Sequence, residues 1–195
     1  KVPSDADLTA ALQSAEQTAV MAWADGTPDR ELLLDKPAPA AVASRREMPA
    51  VGMTIVRFAN GVEAWLKPTD FKNDEVTFEL EASGGASLAS CADLPEASLA
   101  PSLVRLSGVG GLKALDLEKM LAGKLAGASP SIELSTQSIS GGASPADLET
   151  ALQLLYLDFT APNDDPEAFT LLTRQLAAAV ANREQSPQQV FRERL

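Results

Sequence analysis

Thr54-Ile55-Val56-Arg57-Phe58, Ala59-Asn60-Gly61 and Val62-Glu63-Ala64-Trp65-Leu66-Lys67, followed after a polar stretch by Glu75-Val76-Thr77-Phe78-Glu79-Leu80-Glu81-Ala82, decide the fold class. The first two runs flank Asn-Gly, a pair able to adopt the positive φ angles of a tight turn, and predict a hairpin. The last run alternates acidic and apolar residues, the pattern of a strand with one buried face. Ser83-Gly84-Gly85 ends it.

Downstream, the period changes. Asp93 and Glu96 have capping-box spacing, and Ala97, Ala100, Leu103, Val104 and Leu106 form the apolar stripe of a helix that Gly108, Gly110 and Gly111 close. A shorter helix is expected from about Leu115 to Leu121, then two strands around Ile132-Glu133-Leu134 and Gln137-Ser138-Ile139. Ser144-Pro145-Ala146-Asp147 opens a helix with Leu148, Leu152, Leu155 and Phe159 inward. Asp165-Pro166-Glu167 opens another with Phe169, Leu172, Leu176 and Val180 inward, and Ser186-Pro187-Gln188-Gln189 a third. Strands in sequence, joined by short turns, predict an α+β domain: an antiparallel sheet with helices packed on one face.

Upstream, Leu8, Ala11, Leu12, Ala15, Ala19 and Trp23 predict a helix over residues 4–24, capped by Ser4. Pro28, Pro37, Pro39 and Pro49 favour an extended linker over 27–50. The expected organisation is therefore a helical connector and linker, 1–50, and an α+β domain, 51–195.

Composition narrows the function. The 195 residues are 45% hydrophobic and 22% charged, enough for an ordinary core, and carry a net charge of −11. That charge repels phosphate backbones and anionic lipid heads, which argues against nucleic-acid and membrane-surface roles. No apolar run reaches the ~18 residues of a membrane span. The chain starts at Lys1 without a signal-peptide apolar region, which suits an excised or processed chain. Above all, there is no histidine. The usual general base, the usual zinc ligand and every Ser-His or Cys-His dyad are removed together.

The remaining motifs have structural explanations. Ser107-Gly108-Val109-Gly110-Gly111-Leu112-Lys113 resembles a phosphate loop, but its glycines follow a helix and read as a helix stop. Ser140-Gly141-Gly142-Ala143-Ser144-Pro145 runs from a strand into a helix start whose amides Ser144 caps. Asn163-Asp164-Asp165 lacks the alternating acids of a calcium loop and reads as helix capping. Cys91, the one cysteine, has no histidine to activate it and reads as structural or incidental. Glu79 and Glu81 fall on the solvent face of their strand, and Trp23 and Trp65 on apolar patterns that assign them to the core.

From about Thr54 to Leu195 the sequence resembles the domain that begins the C-terminal half of bacterial pitrilysin/insulinase-family zinc peptidases. The segments that carry the resemblance are Phe58-Ala59-Asn60-Gly61-Val62, Leu66-Lys67-Pro68-Thr69-Asp70-Phe71-Lys72-Asn73-Asp74-Glu75-Val76, Ser83-Gly84-Gly85-Ala86-Ser87-Leu88 and Ser107-Gly108-Val109-Gly110. Leu117-Glu118-Lys119-Met120-Leu121-Ala122-Gly123-Lys124, Ser140-Gly141-Gly142-Ala143-Ser144-Pro145-Ala146-Asp147-Leu148-Glu149-Thr150 and Tyr156-Leu157-Asp158-Phe159-Thr160-Ala161-Pro162 continue it in order.

The resemblance implies a metallohydrolase-like α+β domain, truncated at its C-terminal end, in a protein of two similar halves that close around a peptide. In the catalytic half, the helix after the third strand bears H-x-x-E-H, whose histidines hold zinc with a later glutamate. Here the corresponding helix, roughly Asp93 to Ser107, has none. The chain is therefore expected to have no catalytic or metal residue of its own and no cofactor, zinc being held by the absent catalytic half. Its expected partners are that half and a peptide substrate, with no nucleic acid. Gly84, Gly85, Glu75, Glu79 and Glu81 are the expected chamber surface, and a periplasmic or otherwise exported location is implied. A catalytically dead structural or interaction protein of the same fold, like the core subunits of respiratory complexes, is the alternative. An unrelated α+β ligand-binding domain is a third reading, which the resemblance disfavours.

Overall fold

The computed structural model describes residues 3–18, 26, 28–183 and 191. Ser4 caps helix α1 (Asp5–Gln17) in a reciprocal capping box with Asp7, but none of the helix is buried. Of the stripe expected there, Ala19 and Trp23 lie outside the described residues, as does the helix start at 186–189.

Two three-stranded antiparallel sheets follow. The first has the order β1-β2-β3, from Val42–Met48, Met53–Phe58 and Glu63–Leu66. Its β2–β3 hairpin is the one that Asn60-Gly61 predicts, with Ile55 opposite Trp65 and Arg57 opposite Glu63. Strand β1 corrects the linker expected over 27–50. Its side chains are almost all exposed, so no alternation marked it in the sequence. A second correction lies upstream: Leu32 and Leu33 are buried in the main apolar cluster.

The second sheet has the order β4-β6-β5, from Val76–Ser83, Thr136–Ala143 and Ala126–Ile132. Glu133 and Leu134, expected within a strand, instead form the β5–β6 turn. Helix α2 (Leu94–Ser107) lies on β5, and helix α4 (Leu148–Thr160) on β5 and β6. Helix α3 (Ala114–Met120) and helix α5 (Pro166–Asn182) pack against α2. This is the expected α+β class, with two sheets in place of one.

Sequence and structure differ on which helix faces turn inward. In α4 the buried residues are Ala151, Leu154 and Leu157, whereas Leu152 and Phe159 are exposed. In α5 Ala168 and Leu172 are buried, while Phe169 and Val180 are exposed. The buried positions of α4, Ala151, Leu154 and Leu157, recur at steps of three and form a face rotated from the expected stripe, whereas in α5 the expected Leu172 is buried. Leu32, Leu33, Val109, Leu112, Leu154 and Leu157 make the cluster that ties the upstream segment, the glycine loop and α4 together. Each leucine buried there stabilises the fold by roughly 1.5–3 kcal/mol.

The helix starts also differ in detail. The capping box read from Asp93 and Glu96 does not form; Asp93 accepts from the Ser90 hydroxyl at 2.7 Å instead. The same Ser-x-x-Asp turn recurs before α4. There the Ser144 hydroxyl donates to Asp147 at 2.7 Å and accepts from its N–H at 3.1 Å. The Ser144 hydroxyl, then the Leu125 N–H at 3.0 Å, hold the Asp147 carboxyl below its usual range.

Candidate functional site

The five residues expected at the chamber surface are strung along β4 rather than gathered. Glu75 precedes the strand and Gly84 and Gly85 follow it, a span of about 30 Å at strand rise. Glu79 and Glu81 are exposed on one face between them. Glu75 pairs with Lys72 at 2.9 Å, at the rim of a polar hollow of about 380 Å³ that Asp74 and Ser144 also line. Among the described residues β4 is an edge strand of its sheet, paired only with β6.

Gly84 and Gly85 have a structural task. Both hold positive φ (125° and 52°), and a Cβ on Gly85 would lie 2.3–2.6 Å from the Glu133 and Thr136 carbonyl oxygens and the Thr136 nitrogen. The chain closes here onto the β5–β6 turn: the Gly84 N–H donates to the Ser135 carbonyl and the Ala86 N–H to the Glu133 carbonyl. Only glycine fits.

The Ser107–Leu112 loop is a helix stop, with Gly108 at φ 79° after α2. Asn163 clamps it. Its amide donates to the Ser107 and Leu112 carbonyls at 3.0 and 2.8 Å, and its side-chain oxygen accepts from the Gly111 N–H at 2.8 Å. Capping therefore falls to Asp165 alone, which accepts from Glu167 and Ala168. Arg30, from the upstream segment, donates to the Gly110 carbonyl. Cys91 is exposed in the turn before α2.

Trp65 is 59% exposed and not in the core, because no helix covers the first sheet among the described residues. Its indole N–H donates to Glu63 at 3.3 Å.

The feature that sequence reasoning missed is a groove of about 250 Å³ between β4–β6–β5, α2 and α4. Cross-strand pairing sets its floor in two rows, Leu80–Ile139–Pro130 and Ala82–Gln137–Ile132. Ala100, Pro101 and Val104 of α2 form one wall, and Asp158 and Phe159 of α4 the other. Among the described residues Asp158 is the one ionisable side chain in the lining. Burial pushes its carboxyl up from 3.8 to about 6. The available signal was a carboxylate inside the apolar run Leu154-Leu155-Tyr156-Leu157-Asp158-Phe159.

Among the described residues no group of three or more His, Cys, Asp or Glu side chains could hold a metal. Helix α2 offers one carboxylate, Glu96, and no histidine. None of the described helices is long and apolar enough to cross a membrane.

No family model matches the chain. Over 181 residues it is 29% identical to a zinc protease described as PQQL-like from Arabidopsis thaliana, a match that covers 92% of this chain and 16% of that protein. The fold matches part of the periplasmic protease PqqL from Escherichia coli, with a TM-score of 0.74 and 19% identity, over 100% of this chain and 21% of that one. It also matches the ferredoxin protease FusC, crystallised with Arabidopsis ferredoxin, with a TM-score of 0.69 and 21% identity over 96% of this chain and 21% of FusC. A protease from Helicobacter pylori gives a TM-score of 0.55 and 16% identity over 77% and 34% of the two chains. The chain thus spans about a sixth to a third of the proteins it is similar to.

Proposed function

Because the chain is homologous to a PQQL-like zinc protease and has the fold of a segment of PqqL, a pitrilysin-family protease, we propose that it is a non-catalytic domain that walls the peptide chamber. The observation that carries this reading is α2: where the catalytic half would bear H-x-x-E-H, this helix has no histidine. In this reading zinc and the water it activates belong to the other half of the same polypeptide. The segment upstream of β1 connects the two halves, with Leu32 and Leu33 fastening it to the domain that β1 begins.

The chamber surface in this proposal is the outer face of β4. Glu79 and Glu81 give it negative charge, and its unpaired edge offers backbone groups to an extended peptide. Gly84 and Gly85 shape the end of that surface. The domain acts by position: a peptide held against the zinc reacts faster than one that meets it by collision. Likeness to periplasmic PqqL supports an exported location.

The test is hydrolysis of a fluorogenic unstructured peptide by the separately expressed catalytic half, with and without the half containing this chain. The expected result is a faster rate with the partner half present. An unchanged rate at saturating partner, with binding verified, would sink the chamber-wall reading in favour of a catalytically dead scaffold of the same fold.

A further inference from the structure

The groove beside α4 sits on the opposite face of β4 from Glu79 and Glu81, since Leu80 and Ala82 supply its floor. It is thus separate from the proposed chamber surface. Among the described residues its lining is apolar except for Ser131, Ser138, Gln137 and Asp158. No hydrogen bond or ion pair holds the Asp158 carboxylate among the described residues. A half-buried carboxylate with no partner is costly, and the cost is removed when a cation meets it with good geometry.

Size and shape restrict that cation. Pockets for whole small ligands run to about 300–1,000 Å³, so a groove of about 250 Å³ accommodates one or two side chains. Its walls ask for a long apolar stem and its one charge for a positive head. Lysine and arginine combine the two, packing their methylenes along apolar surface while the head reaches a polar group. At the rim, Phe159 is 65% exposed and offers a ring to apolar neighbours of the inserted residue. The net charge of −11 draws cationic segments from a distance but does not place them.

We propose that the groove between α2, α4 and the β4–β6–β5 sheet binds a linear peptide segment that inserts one lysine or arginine side chain against Asp158, with apolar residues on either side. A wholly apolar segment would leave Asp158 buried and uncompensated, and an acidic one would add a second negative charge.

The test is calorimetric titration of this chain at pH 7.5 and 150 mM salt with three peptides, Ala-Leu-X-Leu-Ala, in which X is lysine, norleucine or glutamate. The lysine peptide is expected to bind at least about tenfold more tightly than the norleucine peptide, and the glutamate peptide more weakly than both. Asp158→Asn, with folding verified by its thermal melt, should bring the lysine-to-norleucine ratio to about two or less, the lysine peptide binding more weakly and the norleucine peptide as tightly as before or more so. Phe159→Ala should weaken both peptides by several-fold and leave their ratio intact. Equal binding of lysine and norleucine, a ratio that survives Asp158→Asn, indifference to Phe159→Ala, or no measurable binding at millimolar peptide would each overturn the proposal. All these outcomes are read without the catalytic half, so they are independent of the chamber-wall test.

Discussion

The two sheets have the same number of strands and the same antiparallel pairing, yet among the described residues one is covered by helices and the other is bare. On β4–β6–β5, helices α2 and α4 bury Ile139 and Ala143 and enclose the groove. On β1–β2–β3 only Ile55 falls to 5% exposure, while Val42, Val62, Trp65 and Leu66 face solvent among the described residues. Alternation in sequence reports which side of a strand is apolar; it does not report what, if anything, lies on that side. Energetics follow the cover and not the pattern. Substitutions in the covered sheet and its helices should therefore be felt strongly, and equivalent ones in the bare sheet weakly.

The largest effect is expected at Leu157, which joins α4 to the covered sheet through the cluster that Ala128 packs against. Leu157→Ala should cost about 2–5 kcal/mol in a urea unfolding series. A loss below about 1 kcal/mol would mean that α4 does not anchor the sheet. Next comes Gly85→Ala. Its Cβ would meet three backbone atoms that no rotamer change can move, at a φ that alanine disfavours, so about 2–3 kcal/mol should be lost. Wild-type stability in that variant would mean the closure onto the β5–β6 turn is loose.

Asp158 gives an effect of the opposite sign. Its folded pKa, about 6, lies above its ordinary 3.8, so the folded chain keeps a proton that the unfolded chain has already lost. Below about pH 4 both states are protonated and nothing is lost. As pH rises from about 4 through 6 the buried charge forms and stability falls, by roughly 1–2 kcal/mol once solvent screening is allowed for. Asp158→Asn should therefore raise stability by that amount at pH 7.5 and by nothing at pH 4. A gain at both pH values, or at neither, would refute the assignment. The smallest effect is expected in the bare sheet, where Trp65→Ser should cost less than about 1 kcal/mol despite the residue's size. A loss comparable to that of Leu157→Ala would show that the first sheet has a cover of its own.

What was legible in the sequence follows the same division. Asn60-Gly61 and the alternation around it placed the β2–β3 hairpin, because turn chemistry is local. Glycines and prolines placed the ends of α2 and α5 for the same reason. Strand β1 was illegible because neither of its faces is buried. In α5 Leu172 is buried as expected, but the stripe of α4 was assigned to the wrong face, because Leu154 and Leu157 beside it are as apolar as Leu152 and Leu155. Ala151 is fully buried, and the larger Phe159 is left at the groove rim. Alternation placed Glu79 and Glu81 on the solvent face, whereas a lone aspartate in an apolar run does not declare which face it is on. Only the packing of α2 and α4 on the sheet made Asp158 part of a groove.

The central proposal is that this chain supplies surface to a zinc protease without supplying its catalytic centre. The most direct measurement is metal content and peptidase activity of this chain alone, after dialysis against trace zinc. The account predicts well under about a tenth of a zinc per chain and no cleavage, since carboxylates without histidine make a poor tight zinc site. About one zinc per chain, with cleavage that a chelator abolishes, would contradict it.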